Sequence, residues 1–228
     1  MNTYALIVAA GRAVRYGGTR PKQFVEVCGR PLLSWTISRF EQAESIDGII
    51  VVVSEQYAGA TAGTVIDPFH FLKVRKIVFG GETRQASVAN GLAALPGGIG
   101  WVAIHDGARP LVLPEDIDRV VAKAKSGTCA MLAAPVTDTV KTVRDGIVVG
   151  TIDRDNLWLA QTPQVFRLDL IRAAHQTPSD ESASDDAMLA ERCGHAVQIV
   201  ESSGPNTKVT TPEDLVAVEA FLRREAHA

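Results

Sequence analysis

With 228 residues the chain is long enough for one large or two small domains, and its formal net charge of −3 argues against a nucleic-acid-binding surface, which is normally basic. The three cysteines, Cys28, Cys129 and Cys193, are odd in number and far apart, which argues against a disulfide framework or a structural zinc site and favours a reducing cytoplasm. No apolar run approaches the ~20 residues of a membrane span and no charged leader precedes a long apolar stretch, so we expect neither a membrane segment nor a secretion signal.

Short runs of β-branched residues alternate along the chain with longer segments of helical spacing. The expected strands cover residues 5–8, 49–53, 74–79, 101–104, 131–136 and 196–200. The expected helices cover residues 32–43, 84–94, 114–124 and 168–174, and a final amphipathic helix covers 212–224. This alternation predicts an α/β fold in which helices cross over between parallel strands.

The sequence gives no sign of a division into units. We find no internal repeat and no low-complexity linker, so we expect a single domain over residues 1–228. The polar end after Arg224 shows no linker onward, so fusion to a further functional unit is not expected.

One segment interrupts the alternation. Residues 137–143 and 147–152 are rich in β-formers, and the Arg144-Asp145-Gly146 between them is a strong hairpin signal. A lone two-stranded hairpin is marginally stable in water, so this arm, at about residues 137–157, must pack against its own domain or against another chain. The residues leave both possibilities open.

The loop after the first expected strand combines small and basic residues. Ala9, Ala10 and Gly11 let a bound group approach the backbone, whose free N–H groups attract anions. All four cations that follow precede the first acid of the chain, Glu26; they are Arg12, Arg15, Arg20 and Lys22. Cations on several sides suit a polyphosphate, whereas the simpler alternative is a solvated basic loop.

Two well-known phosphate loops do not match this stretch. The P-loop requires Lys followed by Ser or Thr after its last glycine, and here Gly18 is followed by Thr19 and Arg20. The dinucleotide fingerprint requires a glycine where Ala13 stands. Neither motif therefore identifies the ligand.

A second candidate stretch, residues 80–87, lies between a strand and a helix. Its two glycines precede a helix N-terminus, where unpaired N–H donors are available to a ligand. An ordinary turn capped by Thr83 is the alternative interpretation.

A third candidate stretch, His-Asp-Gly-Ala-Arg-Pro at 105–110, follows the expected strand 101–104. In an open α/β sheet this edge is where ligands bind. Asp106 can hold a metal or a hydroxyl there, and Arg109 can hold an anion. We interpret His105 as a packed or hydrogen-bonded side chain, because no acid or nucleophile is spaced for a catalytic triad.

Two later stretches are weak signals when taken singly. Asp153-Arg154-Asp155 comes before Gln161-Thr162-Pro163-Gln164, and the alternative there is a charged turn that leads to a core Trp158. Lys208 lies in an apolar and hydroxyl-rich context before the last helix, although a lone lysine is usually solvated.

In their order and spacing, these motifs together resemble one family, the 2-C-methyl-D-erythritol 4-phosphate cytidylyltransferases of the non-mevalonate isoprenoid pathway. The resemblance runs from about residue 4 to about residue 222, and ten weak motifs in order form a strong signal. The shared stretches are Ala9-Ala10-Gly11, Arg15, Pro21-Lys22-Gln23, Gly80-Gly81, residues 105–110, Ala134-Pro135-Val136, Asp138-Thr139, Asp153-Arg154, Thr162-Pro163-Gln164 and Lys208-Val209-Thr210.

The resemblance implies a fold, a reaction and an assembly. The fold is similar to that of the nucleotide-diphospho-sugar transferases: a Rossmann-like, mixed but mostly parallel twisted sheet with a protruding β-arm that completes a homodimer. The reaction joins CTP and methylerythritol 4-phosphate to give the cytidine diphosphate alcohol and pyrophosphate, with Mg²⁺ or Mn²⁺ as cofactor. Such a phosphoryl transfer needs positioning and charge stabilisation rather than a covalent nucleophile, which fits the lack of a Ser-His-Asp or Cys-His arrangement.

The resemblance also implies roles for individual residues. Those implied as catalytic are Arg15, Lys22, Arg154 and Lys208. Those implied in CTP binding are Ala9, Ala10, Gly11, Arg15, Lys22, Gly81, Ser87, Asp106 and Gly107. Those implied in binding the polyol phosphate are Asp106, Arg109, Thr139, Arg154, Thr162, Ser184 and Lys208, with Thr139 and Arg154 reaching in from the arm of the other subunit. Asp106 is the expected protein ligand of a metal held mainly by the CTP phosphates.

Two departures from the family pattern leave the charged groups in place. Ala13 stands where the family usually has glycine, and Ser184 where it usually has threonine.

Two other functions stay open: a cytidylyltransferase for ribitol 5-phosphate or another polyol phosphate, and a non-catalytic nucleotide-binding homologue. The presence of Arg15 and Lys22 argues against the second.

Overall fold

The computed structural model describes residues 1–11, 21–178 and 182–225. The strands are β1 Asn2–Val8, β2 Glu26–Val27, β3 Arg30–Pro31, β4 Gly48–Val53, β5 Val74–Phe79, β6 Ile99–Asp106, β7 Cys129–Pro135, β8 Val140–Arg144, β9 Ile147–Ile152, β10 Trp158–Arg167 and β11 Gln198–Glu201. The α-helices are α1 Leu32–Gln42, α2 Ala58–Ala60, α3 Arg84–Ala93, α4 Pro114–Ser126, α5 Leu168–Gln176, α6 Asp186–Arg192 and α7 Pro212–Glu225. Within these ranges, no helix is long and apolar enough to cross a membrane.

Seven of the described strands form one sheet in the order β11-β7-β10-β6-β1-β4-β5. Among them β10 alone runs antiparallel to its neighbours, β6 and β7. The predicted α/β class with a mixed, mostly parallel sheet is therefore confirmed. The chain passes from β1 to β4 and β5 on one side and then returns to β6 on the other, so the strand order reverses beside β1.

The central strands are buried on both faces, as continuous apolar runs in a parallel sheet normally are. All six residues of β4 are buried. Val51 and Val53 pack in the same cluster as Phe40 of α1, whereas Val52 packs with Leu92 of α3 on the opposite face. The helices therefore cover both faces of the sheet and leave its carboxyl edge open.

β10 is not among the strands expected from the sequence. This segment carries Pro163, and a proline within a run argues against a strand. Its register with β7 shifts between Ala160 and Gln164, so the ladder is interrupted beside the proline. The alternative of a core tryptophan is wrong, because Trp158 keeps 37% of its surface exposed.

The predicted hairpin is present as β8 and β9, although its first strand begins at Val140 rather than at residue 137. Asp145 and Gly146 both have positive φ, 50° and 79°, as a two-residue hairpin turn of type I′ requires. In the part of the chain that the structure describes, these two strands pair with each other and with no third strand. Among the described strands of its own chain, the arm therefore has no sheet partner.

Candidate active site

A cleft of about 920 Å³ opens at the carboxyl edge of the sheet, beside β1. In open α/β sheets, ligands bind at this edge and at the point where the strand order reverses. The described lining residues are 8–11, 22–23, 54–56, 80–84, 87, 106–108 and 208. The cleft thus gathers stretches that are far apart in the sequence.

Small residues let the backbones of the loops after β1, β5 and β6 lie in direct contact with one another. The N–H of Gly107 donates to the carbonyl of Val8 at 2.8 Å. A Cβ on Gly107 would lie 2.9 Å from the Cβ of Ala9, and a Cβ on Gly80 would lie 2.3 Å from the Cβ of Ala10. These positions therefore require residues without bulk, and backbone groups form the floor of the cleft.

The glycine turn before α3 is both a capped turn and a wall of the cleft. The side chain of Thr83 accepts a hydrogen bond from the N–H of Ala86 at 3.0 Å, as an N-cap does. The Ser87 hydroxyl accepts from the N–H of Gly81 at 3.0 Å and donates to the carbonyl of Thr83 at 2.9 Å. Ser87 therefore fixes the shape of the turn, which the sequence does not predict.

Asp106 is the electrostatic centre of the cleft. Its Oδ2 lies 2.8 Å from the Nζ of Lys208 and 3.6 Å from the Nε of Arg109, and its Oδ1 lies 3.4 Å from the Nε of Arg84. Burial alone would raise the pKa of Asp106, but the positive charges of Lys208 and Arg84 hold it well below its usual range. The carboxylate therefore stays ionised at physiological pH.

Residues 206–209 bring the two lysines of the candidate site together. Arg109 donates from Nη1 to the carbonyl of Asn206 at 2.7 Å. The N–H of Val209 donates to the carbonyl of Ala108, and its carbonyl accepts from the Nζ of Lys22, both at 2.8 Å. Lys22 and Lys208 consequently line the same cleft although 186 positions separate Lys22 from Lys208.

His105 and Thr162 form a buried hydrogen-bonded support behind Asp106. The N–H of Asp106 donates to the Thr162 hydroxyl at 3.1 Å, and that hydroxyl lies 3.0 Å from Nδ1 of His105. Nε2 of His105 lies 3.1 Å from the carbonyl of Arg109, so Nε2 carries the proton and Nδ1 accepts. The interpretation of His105 as a packed, hydrogen-bonded side chain is confirmed; its ring also packs against Phe40.

The protein should lose stability on acidification because His105 is buried in its neutral form. Burial lowers the pKa of His105 from 6.5 to about 3, so between these values the unfolded chain binds the proton and the folded chain does not. The free energy of unfolding therefore falls as the pH drops through this window, by at most about 1.4 kcal/mol per pH unit for this one group. Urea denaturation at a series of pH values between 7 and 4.5 measures the slope.

The variant His105→Gln is the control for this titration, since it removes the ionisable ring. Its slope should be shallower over the same range, although its stability at pH 7 should be lower. Asp106 does not account for the slope, because its pKa is lowered from 3.8 and it titrates below this range. Equal slopes in the variant and the wild type would assign the pH dependence to other groups.

The structure places the other predicted residues in three ways. Arg15 lies outside the described residues, as does Ala13. Thr139 and Arg154 lie on the exposed arm, where Arg154 donates to the carbonyl of Thr137. Ser184 is exposed, and its hydroxyl lies 3.7 Å from the sulfur of Met188. None of these three described residues lines the cleft of its own chain.

Arg84 is a charged cleft residue to which sequence reasoning gives no role of its own. It lies in the first turn of α3, and its guanidinium forms ion pairs with Asp106 and with the buried Asp186. The local sequence marks it only as part of a strand-to-helix turn. Its importance follows from the meeting of α3, β6 and α6, which no motif encodes.

A mostly parallel sheet covered by helices on both faces, with a cleft at its switch point that Lys22, Arg84 and Lys208 line, defines an α/β ligand-binding protein. The sequence model of the 2-C-methyl-D-erythritol 4-phosphate cytidylyltransferase family matches residues 3–224, and the chain belongs to this family. The resemblance found in the motifs is therefore confirmed.

Relatives of the same name match almost the whole chain. A 2-C-methyl-D-erythritol 4-phosphate cytidylyltransferase of Geobacter metallireducens is 44% identical over 230 residues, which cover 99% of each protein. One of Syntrophotalea carbinolica is 46% identical over 225 residues, which cover 97% of each. The crystal structure of 4-diphosphocytidyl-2C-methyl-D-erythritol synthase from Anaerococcus prevotii superposes with a TM-score of 0.85 at 30% identity and covers 97% of this chain and 96% of that one.

Proposed function

We propose that the cleft transfers a cytidylyl group from CTP to 2-C-methyl-D-erythritol 4-phosphate and releases pyrophosphate. The observation that carries this proposal is the convergence of Lys22, Lys208 and Asp106 with the backbone loops at 9–11 and 80–81 in one cleft. Lys22 suits the triphosphate, the two backbone loops suit the nucleoside, and Asp106 with Lys208 suits the polyol phosphate. Family membership and the names of close relatives support the same activity.

The reaction is an in-line displacement. A phosphate oxygen of the polyol phosphate attacks the α-phosphorus of CTP, the bond from that phosphorus to the bridging oxygen breaks, and pyrophosphate leaves with the electron pair. Negative charge grows on the non-bridging and leaving oxygens. Lys22, which lines the cleft, supplies positive charge that stabilises these oxygens, and Arg15 is proposed to supply more. Charge stabilisation of this kind is usually the largest single catalytic effect.

The remaining groups hold the two substrates in reacting geometry. The close-packed loops at 9–11 and 80–81 offer backbone groups to the nucleoside, which at 80–81 are carbonyls because the N–H of Gly80 donates to Val53 and that of Gly81 to Ser87. The lack of side-chain bulk lets the nucleoside approach. Asp106 and Lys208 face the cleft side by side, so that the carboxylate can accept from a substrate hydroxyl while the ammonium binds a phosphate. Arg109 and Thr162 support this pair from behind and add specificity to the polyol end.

A divalent cation fits this site through one protein ligand. In the described residues no group of three His, Cys, Asp or Glu side chains could enclose a metal, but the ionised Asp106 lines the cleft. Its Oδ1 is the more loosely paired of its two oxygens, at 3.4 Å from the Nε of Arg84 against 2.8 Å from Oδ2 to the Nζ of Lys208. Mg²⁺ commonly binds substrate phosphates together with one or two carboxylates. When bound, it would neutralise the triphosphate and polarise the phosphorus that is attacked.

Excess EDTA should therefore abolish turnover, and Mg²⁺ or Mn²⁺ added back should restore it. The reason is that most ligands of the metal come from CTP, so the protein alone retains it weakly. Pyrophosphate release with titrated metal measures this dependence. Because the protein has no structural metal in this proposal, the far-ultraviolet circular dichroism should be the same with and without EDTA. Full activity in EDTA would remove the metal from the proposed mechanism.

We further propose that the arm completes the site of a second chain in a homodimer. Its apolar side chains are widely exposed: Val143, Ile147, Val148 and Val149 keep 56–69% of their surface accessible. Several exposed apolar side chains on one hairpin commonly mark a protein interface. Dimer formation would bury these side chains and would bring Thr139 and Arg154, which lie outside the cleft of their own chain, to the cleft of the other chain.

A substrate panel tests the proposed function directly. Pyrophosphate release is measured with each of the four nucleoside triphosphates against 2-C-methyl-D-erythritol 4-phosphate, ribitol 5-phosphate and other polyol phosphates. The pair of CTP and methylerythritol 4-phosphate should exceed every other pair by at least about a hundredfold in kcat/KM, since a site built to hydrogen-bond particular groups rejects analogues that lack them. A preference for ribitol 5-phosphate would reassign the acceptor, and binding of CTP without any turnover would make the chain a nucleotide-binding homologue.

A further inference from the structure

Behind the cleft lies a buried carboxylate that no motif or proposed role explains. Asp186 begins α6, and only 1% of its side chain is exposed. Its Oδ1 lies 3.0 Å from Nε2 of His175, and its Oδ2 lies 2.7 Å from Nη1 of Arg84. Burying a carboxylate costs free energy unless the charge is paired, so the partners of Asp186 indicate its role.

Arg84 joins this buried acid to the cleft. Its guanidinium faces Asp186 through Nη1 and Asp106 through Nε at 3.4 Å. Burial alone would lower the pKa of Arg84, but the two carboxylates raise it, so the bridge between them is always charged. Arg84 is one of the described residues that line the cleft, whereas Asp186 lies behind it.

The carboxylate of Asp106 is held from both sides as a result. Lys208 and Arg109 lie on its Oδ2, and Arg84 faces its Oδ1. A contact of 3.4 Å from a long arginine side chain is loose unless the guanidinium is fixed elsewhere, and the shorter ion pair with Asp186 fixes it. Without Arg84, the cations on Oδ2 would pull Asp106 to one side.

The helix that carries Asp186 is itself fixed to the sheet. Gln164 of β10 accepts, through Oε1, from the N–H groups of Asp186 at 3.1 Å and of Ala187 at 2.9 Å. Its Nε2 donates to the carboxylate of Asp185 at 2.8 Å. The same strand carries Thr162, which supports Asp106. Both carboxylates that Arg84 bridges, Asp106 and Asp186, therefore belong to residues that are hydrogen-bonded to β10.

We propose that Asp186 is a positioning residue of the transfer reaction: it holds the guanidinium of Arg84 against Asp106 and thereby fixes the carboxylate that faces the substrates. This inference rests on the proposed function, which gives Asp106 its role at the polyol end. Asp186 touches neither substrate. It acts through Arg84, so its effect must disappear when Arg84 is absent.

A double-mutant cycle tests the coupling. Asp186→Asn should lower kcat by roughly tenfold or more, since small displacements of a positioning group are costly, while the KM for CTP should change less than about threefold. Arg84→Met should lower kcat to a similar extent. The double variant should be no slower than Arg84→Met alone. If the two losses multiply instead, the proposal is overturned.

Asp185→Asn is the matched control, because it makes the same change from acid to amide one residue earlier. Asp185 caps α6 by accepting from the N–H of Met188 at 2.9 Å, and its contacts do not involve Arg84 in the structure described here. Its kcat should stay within about twofold of wild type. An equal loss in this control would mean that Asp186 acts only through the folding of α6. If Asp186→Asn does not fold, a near-normal kcat of Arg84→Met would overturn the proposal by itself.

A spectroscopic measurement separates this inference from the proposed function. In wild type, the guanidinium of Arg84 should show restricted rotation, with resolved ¹⁵Nη resonances that are assigned by their loss in Arg84→Met. In Asp186→Asn these resonances should average, and in Asp185→Asn they should not. A wild-type chain inactive with CTP and methylerythritol 4-phosphate would refute the proposed function alone. Unchanged Arg84 resonances in Asp186→Asn would refute the positioning role whatever the reaction.

Discussion

Replacing Lys22 by alanine should lower kcat by roughly two to three orders of magnitude, which is the usual cost of losing one charge contact to a transition state. Lys22 lines the cleft, and its Nζ donates to the carbonyl of Val209 at 2.8 Å. That contact holds the ammonium beside the segment that carries Lys208. In the proposed reaction the ammonium stabilises charge that grows on the triphosphate as pyrophosphate leaves.

The loss of stability in Lys22→Ala should be small by comparison. The hydrogen bond to the carbonyl of Val209 contributes on the order of 1 kcal/mol, so urea denaturation should show a shift of about that size from the loss of this contact. Turnover at saturating CTP, measured by pyrophosphate release, then separates chemistry from folding. Arg15→Ala should behave in the same way, although Arg15 lies outside the described residues and its prediction comes from the motif.

Lys73→Ala is the matched control for Lys22→Ala. Lys73 also donates from Nζ to a backbone carbonyl, that of Ala43 at 2.6 Å, but it lies outside the cleft lining that the structure defines. Its variant should keep kcat within about twofold while losing comparable stability. If Lys22→Ala and Arg15→Ala both turn over within a few-fold of wild type, neither residue stabilises the transition state, and the assignment of the basic loop is wrong.

Much of the fold could be predicted because burial on both faces imposes continuous apolar runs. The six buried residues of β4 form such a run, and the helix periodicity between strands then fixes the layer order. Asp106 could be predicted as a site residue for a related reason, since the carboxyl end of a parallel strand meets the ligand edge. The family resemblance added residue roles that periodicity cannot supply.

The parts that escaped prediction depend on contacts between distant segments. Arg84 is an ordinary residue of a helix start until α6 brings Asp186 behind it and β6 brings Asp106 in front. The strand β10 was not predicted because Pro163 and its polar neighbours argue locally against a strand. It forms nonetheless because it pairs with β6 and β7. Local propensity was outweighed there by tertiary pairing.

A mixture of two inactive variants should recover about a quarter of wild-type activity if the arm serves the other chain. The two variants are Lys22→Ala and Arg154→Ala, co-expressed or co-refolded in equal amounts. In the proposed dimer each site combines Lys22 from one chain with Arg154 from the other. In the structure Arg154 lies on the exposed arm and donates to the carbonyl of Thr137, away from its own cleft.

The expected recovery follows from the symmetry of an isologous dimer. Random pairing makes about half of the dimers mixed, and each mixed dimer holds one site with both groups intact and one site with neither. Pyrophosphate release from the mixture is compared with that of each variant alone, after mass spectrometry of differently tagged chains has shown that subunits exchanged. Mixing Lys22→Ala with Lys208→Ala is the matched control, because both lysines line the cleft of one chain, so every site keeps a defect and no activity should return. If Arg154 serves its own chain, the first mixture stays as inactive as this control, and the shared site must be abandoned.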